Sequence, residues 1–331
     1  MKKQAARFAA ILVFVFFLFV LLCSICQDTK SRFKLKRIKH SPTSYNENKL
    51  RIIFLNEKVK RAKACKRLGL TTGRSHVIHH PWKLRTALVD DVSQVMFCYI
   101  PKVASGNWKR VFIMLQKGIS NPAFIDTQAA HNTKLRNLGS SSSEEIARVV
   151  KKYRQFVVVR EPMERLLSAY INKIHKADYT GKFHRLLGRQ GLPQGDHKIP
   201  YQEQVNDTEK ISFSEFVDFI ITQASAGERL EIHWERMHKI CYPCFFEYDY
   251  IGKYETLQRD SRFILDRVPG AQGWSLPDVK ADKGRTTKAN ERRYFSQLRV
   301  DQLRGLLEVY RLDYELFNYP LPIHLFNVIR T

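Results

Sequence analysis

A short apolar segment that runs into a tight turn and then into an amphipathic helix places the strongest constraint on the fold. Residues 96–100 form the apolar segment, Pro101 and Lys102 begin the turn, and the helix carries the apolar run 111–115. The pattern predicts a buried strand, a loop and a helix in that order. A helix that begins at such a loop points backbone N–H groups and the positive end of its dipole at one place, which favours a bound phosphate. The Gly-x-x-x-x-Gly-Lys-Ser/Thr spacing of nucleotide triphosphatases is absent, so the sequence predicts a phosphorylated ligand other than ATP.

A second pattern of the same kind occupies residues 155–170. Its β-branched run 157–159 is typical of a buried parallel strand, and Pro162 fits the first turn of the helix that follows. Arg160 stands where the strand ends, and Ser168 lies about two helical turns further on. Because ligands of open α/β sheets bind at the carboxyl ends of strands, both patterns are expected to bring cationic residues to the same edge. The sequence therefore predicts an α/β fold with a central parallel sheet.

The charge balance indicates a polyanionic partner. Lysine and arginine outnumber aspartate and glutamate by 56 to 32, which gives a formal net charge of +24. Nucleic acid, anionic lipid and acidic polysaccharide all fit such an excess. The chain carries no recognised nucleic-acid-binding motif, so we expect no nucleic-acid partner.

The N-terminal region is predicted to anchor the chain in a membrane. Residues 8–26 are uncharged and mostly apolar, long enough to span a bilayer, and no small-residue cleavage site follows them. We therefore expect a cytoplasmic tail at 1–7, a signal anchor at 8–26, a stem at 27–87 and a catalytic-type luminal domain at 88–331. The basic residues that follow the anchor favour the opposite orientation, with the C-terminal side in the cytosol. Asn206 favours a luminal C-terminal side, because it begins a glycosylation acceptor sequence that is used only in the secretory lumen. We also expect a helix near 50–67. It could form a homodimer through the stem, or it could be a solvated spacer, and we prefer the spacer.

Four cysteines follow the anchor, and they are predicted to form disulfides. No second Cys or His pair stands at metal-binding distance from the Cys-Tyr-Pro-Cys motif, so we expect no metal. The sequence leaves the pairing open: Cys241 could bond to Cys244, or either of them could bond to Cys65. Cys98 is expected to be a free thiol in the core.

Nine short motifs, in order between residues 97 and 319, resemble those of the Golgi carbohydrate sulfotransferases. Within that family they resemble the chondroitin and dermatan N-acetylgalactosamine 4-O-sulfotransferases. The motifs lie at 98–104, 107–110, 159–162, 165–166, 168–170, 233–234, 241–244, 252–256 and 285–287.

The resemblance implies a P-loop-like sulfotransferase fold in a single-pass type II protein of the Golgi membrane. The donor would be 3′-phosphoadenosine 5′-phosphosulfate, with no metal. In this family the first loop binds the 5′-phosphosulfate and the second motif binds the 3′-phosphate. The donor-binding residues expected on this basis are Pro101, Lys102, Val103, Ala104, Ser105, Gly106, Asn107, Trp108, Lys109, Arg160, Ser168, Arg285, Thr286 and Thr287. Some of these residues have an alternative role that needs no donor. Trp108 could pack in the core, Ser168 could bond to its own helix backbone, and residues 285–287 could cap the following helix.

Lys102 and His131 are the predicted catalytic residues. Lys102 would stabilise the charge that develops during transfer. His131 stands where related enzymes have a catalytic histidine, and its ordinary pKa suits a general base. His233 is the second candidate for the base. It is expected on a helix, where His233 and Trp234 either contact the acceptor or pack inside the protein.

The acceptor expected from the resemblance is the 4-hydroxyl of N-acetylgalactosamine in chondroitin or dermatan. Alternatives are terminal N-acetylgalactosamine on N-glycans, glucuronate, or no transfer at all in an inactive, membrane-tethered glycosaminoglycan-binding protein. Ser105-Gly106 replaces the Cys-Thr that is usual in chondroitin-type members, and the Ser105 hydroxyl is expected to substitute for the threonine hydroxyl. A cluster of basic residues either binds along the acceptor polysaccharide or forms a solvated surface without a ligand. Its members are Lys173, Lys176, Lys182, Arg185 and Arg189.

Overall fold

The computed structural model describes residues 44–70, 77–118, 125, 127–175, 211–276 and 288–330. Predictions that concern the anchor at 8–26, Asn206, residues 285–287 and most of the basic cluster therefore lie outside the described residues. Among the described residues, no helix combines the length and the apolar character needed to cross a membrane.

The described part is a mixed α/β structure built on a four-stranded sheet. Its strands are β1 (Ala87–Asp90), β2 (Val95–Cys98), β3 (Arg154–Val159) and β4 (Tyr250–Lys253), in that order across the sheet. The helices are α1 (Ser44–Arg67), α2 (Ser105–Lys117), α3 (Thr127–Asn132), α4 (Ser143–Lys152), α5 (Pro162–Lys173), α6 (Phe213–Ser225), α7 (Met237–Cys241), α8 (Leu257–Leu265), α9 (Lys288–Phe295), α10 (Val300–Leu316) and α11 (His324–Arg330). Short 3₁₀ turns occupy Pro81–Leu84, Leu138–Ser140 and Tyr254–Thr256.

Three of the four strands are parallel, as the patterns of β2 and β3 predict. β2, β3 and β4 pair in parallel, with Phe97 beside Phe156 and Phe156 beside Tyr250. The predicted parallel part of the sheet is extended at one edge by β1, which pairs antiparallel with β2. The turn at 91–94 is short enough to return the chain directly, whereas parallel neighbours need a crossover through a helix.

Two large apolar clusters and one small cluster around Cys65 lie among the described residues. The first surrounds the sheet, where Phe97 stacks on Phe156 at 4.9 Å between ring centroids and Trp108 of α2 contacts both rings. The second joins α5, α6, α9 and α10 through residues such as Tyr170 and Phe216. The first cluster fixes α2 against β2 and β3, so the start of α2 has a defined place at the sheet edge.

The helix expected near 50–67 belongs to the folded body. It runs from Ser44 to Arg67, Phe54 stacks on Phe263 at 4.8 Å, and Arg61 donates hydrogen bonds to the carbonyls of Pro243 and Phe246. The interpretation as a solvated spacer is therefore wrong. The compact unit begins at Ser44, ahead of the expected domain start at residue 88.

Among the described residues, two disulfides connect distant parts of the chain. Cys65 pairs with Cys244, which is one of the alternatives that the sequence left open. Cys98 pairs with Cys241, so the prediction of a free thiol at Cys98 is wrong. Cys98 lies in the buried strand β2 as expected, but α7 brings Cys241 directly against it.

Candidate active site

The loop between β2 and α2 has the backbone of an anion-binding site. Lys102 and Ala104 adopt φ values of +70° and +52°, which residues with a side chain adopt at a cost of about 1–2 kcal/mol each. Ala104 is the N-cap of α2 and has no side-chain acceptor, while its carbonyl accepts from the Asn107 and Trp108 amides at 3.0 and 3.2 Å. The amides of Ser105 and Gly106 occupy the first two helical positions, where amide groups have no acceptor within the helix. This arrangement directs amide groups and the positive helix end at one place.

Open space adjoins Gly106. A Cβ atom built on this glycine would meet no atom of the protein within 4 Å. The glycine is therefore not required by packing, and a larger residue such as the threonine of chondroitin-type members would fit here.

One lysine of this loop and one near the start of its helix are candidates to contact an anion. Lys102 is half-buried within the turn. Lys109 lies over the ring of Tyr99, with its Nζ 4.3 Å from the ring centroid, and burial lowers the pKa of Lys109. The cation–π contact keeps this ammonium close to the loop.

Arg160 joins the second motif to the first loop. It follows β3, is 4% exposed, and its Nη1 donates to the carbonyl of Lys102 at 3.3 Å. Its guanidinium also lies over the Tyr254 ring at 4.3 Å and pairs with Glu164 at 3.3 Å. The two strand ends therefore do bring their cationic residues to one edge of the sheet.

Arg165 fixes the loop to a third segment, and sequence reasoning did not assign it a site role. This guanidinium is 1% exposed and donates to three carbonyls: to Pro101 at 3.0 Å, to Glu235 at 2.7 Å and to Ile232 at 3.1 Å. Burial lowers the pKa of Arg165. An arginine among the apolar residues of a predicted helix indicates a buried arginine that bonds to other parts of the protein. The sequence does not show which carbonyls are its partners.

A network of carboxylates and tyrosines lies beside Arg160. Glu161 is the N-cap of α5 and accepts from the Glu164 amide at 2.6 Å and from the Tyr314 hydroxyl. Its own amide donates to Glu255 at 2.8 Å. Burial raises the pKa of Glu161 to about 7, and burial likewise raises the pKa of Glu164. This network holds the start of α5, and with it Arg160, in place.

The two candidate histidines lie on different segments. His131 belongs to α3, a helix that packs against α2. His233 lies in a turn before α7, so its expected place on a helix is wrong. The His233 Nδ1 is 2.9 Å from the Glu231 carboxylate, which holds the ring in one orientation.

Two other predicted site residues have side chains in the core. Trp108 and Trp234 are fully buried, and Trp234 meets Phe216 edge to face at 5.1 Å between centroids. Both positions agree with the packing alternatives. Ser168 is half-buried on α5, and Pro101 and Val103 are buried within the first loop.

Within the described ranges, no group of three or more His, Cys, Asp or Glu residues is arranged to hold a metal ion.

Comparison with known proteins identifies the family. The model of the sulfotransferase family matches residues 85–320, which include both loops, Arg165 and His233. The chain belongs to this family. The prediction of a sulfotransferase enzyme is confirmed.

Curated relatives are similar over most of the chain. Carbohydrate sulfotransferase 11 of Rattus norvegicus is 32% identical over 305 residues, which cover 91% of this chain and 85% of the relative. Carbohydrate sulfotransferase 14 of Danio rerio is 32% identical over 259 residues, covering 76% and 69% respectively. Carbohydrate sulfotransferase 9 of Homo sapiens is 30% identical over 265 residues, covering 78% and 58%. No solved structure matches the chain.

Proposed function

We propose that this sulfotransferase moves the sulfuryl group of 3′-phosphoadenosine 5′-phosphosulfate to the 4-hydroxyl of N-acetylgalactosamine in chondroitin or dermatan. The observation that carries the proposal is the contact between the Arg160 guanidinium and the Lys102 carbonyl, at 3.3 Å. It joins two cationic loops at one sheet edge. The donor carries two separate anionic groups, the 5′-phosphosulfate and the 3′-phosphate, and therefore matches a site with two neighbouring cationic loops.

The residues of the first loop suit the phosphosulfate end of the donor. The amides of Ser105 and Gly106 would donate to its oxygens, and the positive end of α2 would favour its charge. Lys102 and Lys109 would add two ammonium groups. The open space beside Gly106 leaves room for a ligand close to the backbone.

The second motif suits the 3′-phosphate. Arg160 is held by Glu164 and by the Tyr254 ring, so its guanidinium is oriented before any ligand binds. Ser168 would add a hydroxyl donor from the same helix. Arg285, Thr286 and Thr287 are proposed to complete the donor contacts from outside the described residues.

The reaction is an in-line displacement at sulfur. The acceptor hydroxyl oxygen forms a new bond to sulfur, the bond between sulfur and the bridging phosphate oxygen breaks, and the electron pair stays on the phosphate. Lys102 and the loop amides would stabilise the charge on the transferring and leaving oxygens. His131 would take the proton of the acceptor hydroxyl, with His233 as the second candidate. The products are a sulfate ester and adenosine 3′,5′-bisphosphate.

The nature of the acceptor rests on two lines of support. The relatives carry names that describe carbohydrate sulfotransferases, and the net charge of +24 suits an acidic polysaccharide. The Golgi membrane location, the signal anchor at 8–26, a glycan on Asn206 and a homodimer through the stem belong to the same proposal.

The test uses the full-length chain, radiolabelled phosphosulfate donor, and desulfated chondroitin, desulfated dermatan and neutral N-acetylgalactosamine-terminated glycans. Disaccharide analysis locates the label. We expect label at the 4-hydroxyl of N-acetylgalactosamine, with a rate reduced about 10²–10³-fold in Lys102→Ala, since removing one stabilising donor typically costs that much. Lys102→Arg, which keeps a cation, would lose less.

Lys117→Ala is the matched control, because Lys117 is an exposed lysine at the opposite end of the same helix. Its rate should equal that of the unmodified protein. A folded protein that transfers no sulfate to any glycan, or label at another hydroxyl, would contradict the proposal.

A further inference from the structure

The exposed indole of Trp82 lies within a cluster of cationic and aromatic side chains. Trp82 is 50% exposed in the 3₁₀ turn Pro81–Leu84. The Lys83 Nζ lies 5.4 Å from its ring centroid, and the guanidinium carbon of Arg229 lies 5.7 Å from it. His80 approaches the ring edge-on, at 6.5 Å between centroids. Single exposed apolar side chains are common, but here groups from two distant parts of the chain converge on one ring.

We call these four residues the Trp82 cluster (His80, Trp82, Lys83 and Arg229) and the segment between β2 and α2, residues 99–104, the donor loop. Two sets of contacts connect the cluster to the donor loop. On one side, the chain continues to Thr86, whose carbonyl accepts from the Tyr99 amide at 3.0 Å, and Tyr99 holds Lys109. On the other side, Arg229 lies 4.0 Å from the Glu235 carboxylate.

Glu235 completes the second connection. The same Arg165 guanidinium binds the carbonyls of Glu235 and of Pro101, at 2.7 and 3.0 Å. The Trp82 cluster and the donor loop are therefore held by a shared set of contacts through Arg165 and Glu235.

The chemistry of the cluster matches one class of ligand. The C–H groups of a sugar ring carry a small positive charge and pack against the negative face of an aromatic ring. Ammonium and guanidinium groups beside that ring would bind a carboxylate of the same or the next sugar, and Arg does so with two parallel hydrogen bonds. A uronic acid offers both features, whereas a neutral sugar offers only the first.

We propose that the Trp82 cluster is a subsite for a uronic acid of the acceptor polysaccharide. The inference rests on the proposed function and names the residues that would recognise the uronic acid of its acceptor. It places the terminal N-acetylgalactosamine of neutral N-glycans outside the preferred substrates, because such a glycan has no group for the cations of the cluster.

The first experiment compares Trp82→Ala and Trp82→Phe with the unmodified full-length protein, using desulfated chondroitin and a neutral N-acetylgalactosamine-terminated glycan. We expect Trp82→Ala to raise KM for chondroitin about three- to tenfold with unchanged kcat, the range that a single aromatic contact supplies. Trp82→Phe keeps a flat ring and should restore most of the affinity. KM for the neutral glycan should not change. Equal KM values for chondroitin in all three proteins would overturn the proposal.

The second experiment measures retention on immobilised chondroitin without donor, so it reports on the subsite even if no glycan is sulfated. Lys83→Gln and Trp82→Ala should elute at lower salt than the unmodified protein. Lys151→Gln removes the same charge from an exposed position in the last turn of α4 and should elute unchanged. Equal shifts for Lys83→Gln and Lys151→Gln would show a general effect of net charge and would overturn the proposal. An unfolding midpoint equal to that of the unmodified protein checks that Trp82→Ala is folded.

Discussion

Replacement of Arg165 by methionine tests whether one buried guanidinium holds the donor loop in place. The three carbonyls of Pro101, Ile232 and Glu235 lose their donors together, and methionine fills much of the space without replacing any of them. Hydrogen bonds to a charged group contribute about 1.5–3 kcal/mol each, and removal of the buried guanidinium recovers part of its desolvation cost. We therefore expect the free energy of unfolding to fall by about 3–5 kcal/mol.

The assay is urea unfolding followed by far-UV circular dichroism, together with titration of adenosine 3′,5′-bisphosphate into the protein that remains folded without urea. Arg165→Met should bind this nucleotide more weakly, because Pro101 is released from the segment at 232–235. Arg165→Lys keeps the charge but has fewer donors in a different geometry, so its loss should be intermediate.

Arg304→Met is the matched control, because Arg304 is exposed on α10 and its replacement should change stability by less than about 0.5 kcal/mol. If Arg165→Met unfolds within about 1 kcal/mol of the unmodified protein and binds the nucleotide equally well, the reasoning about the loop is refuted.

Two further predictions concern the disulfides and the carboxylate network. Cys98→Ala should lower the free energy of unfolding by about 2–5 kcal/mol, since its disulfide joins residues 143 positions apart, and peptide mapping of the unmodified protein should recover Cys98 linked to Cys241. A free thiol at Cys98 in the unmodified protein would contradict the pairing. Burial raises the pKa of Glu161 from 4.5 to about 7, so the folded state binds more protons than the unfolded state between these values and stability should fall as pH rises through this window. Glu161→Gln should weaken that dependence in unfolding measured at pH 5 and pH 7.5, whereas the exposed Glu144→Gln should not; equal pH dependence in both variants would show that Glu161 titrates normally.

The sequence by itself determined the local units of the site. The strand–turn–helix at β2 and α2, and the second at β3 and α5, follow from apolar runs, a turn and a proline at the first helical position. These signals act over a few residues, so they can be interpreted without knowledge of the rest of the chain. Because parallel strands present their carboxyl ends at one edge, the meeting of Lys102 and Arg160 also followed from the patterns.

Only the tertiary structure decided how distant segments meet. The pattern of α1 did not reveal that Phe54 and Arg61 are buried against residues near 246 and 263. Four cysteines allow several pairings, and the choice of Cys98 with Cys241 depends on where α7 packs against β2. The sequence does not distinguish Arg165 from the other polar residues of an amphipathic helix, because its three carbonyl partners lie in distant segments. Each of these features depends on contacts between residues far apart in the chain, and the local pattern of a sequence carries no record of which distant segment supplies the other half of a contact.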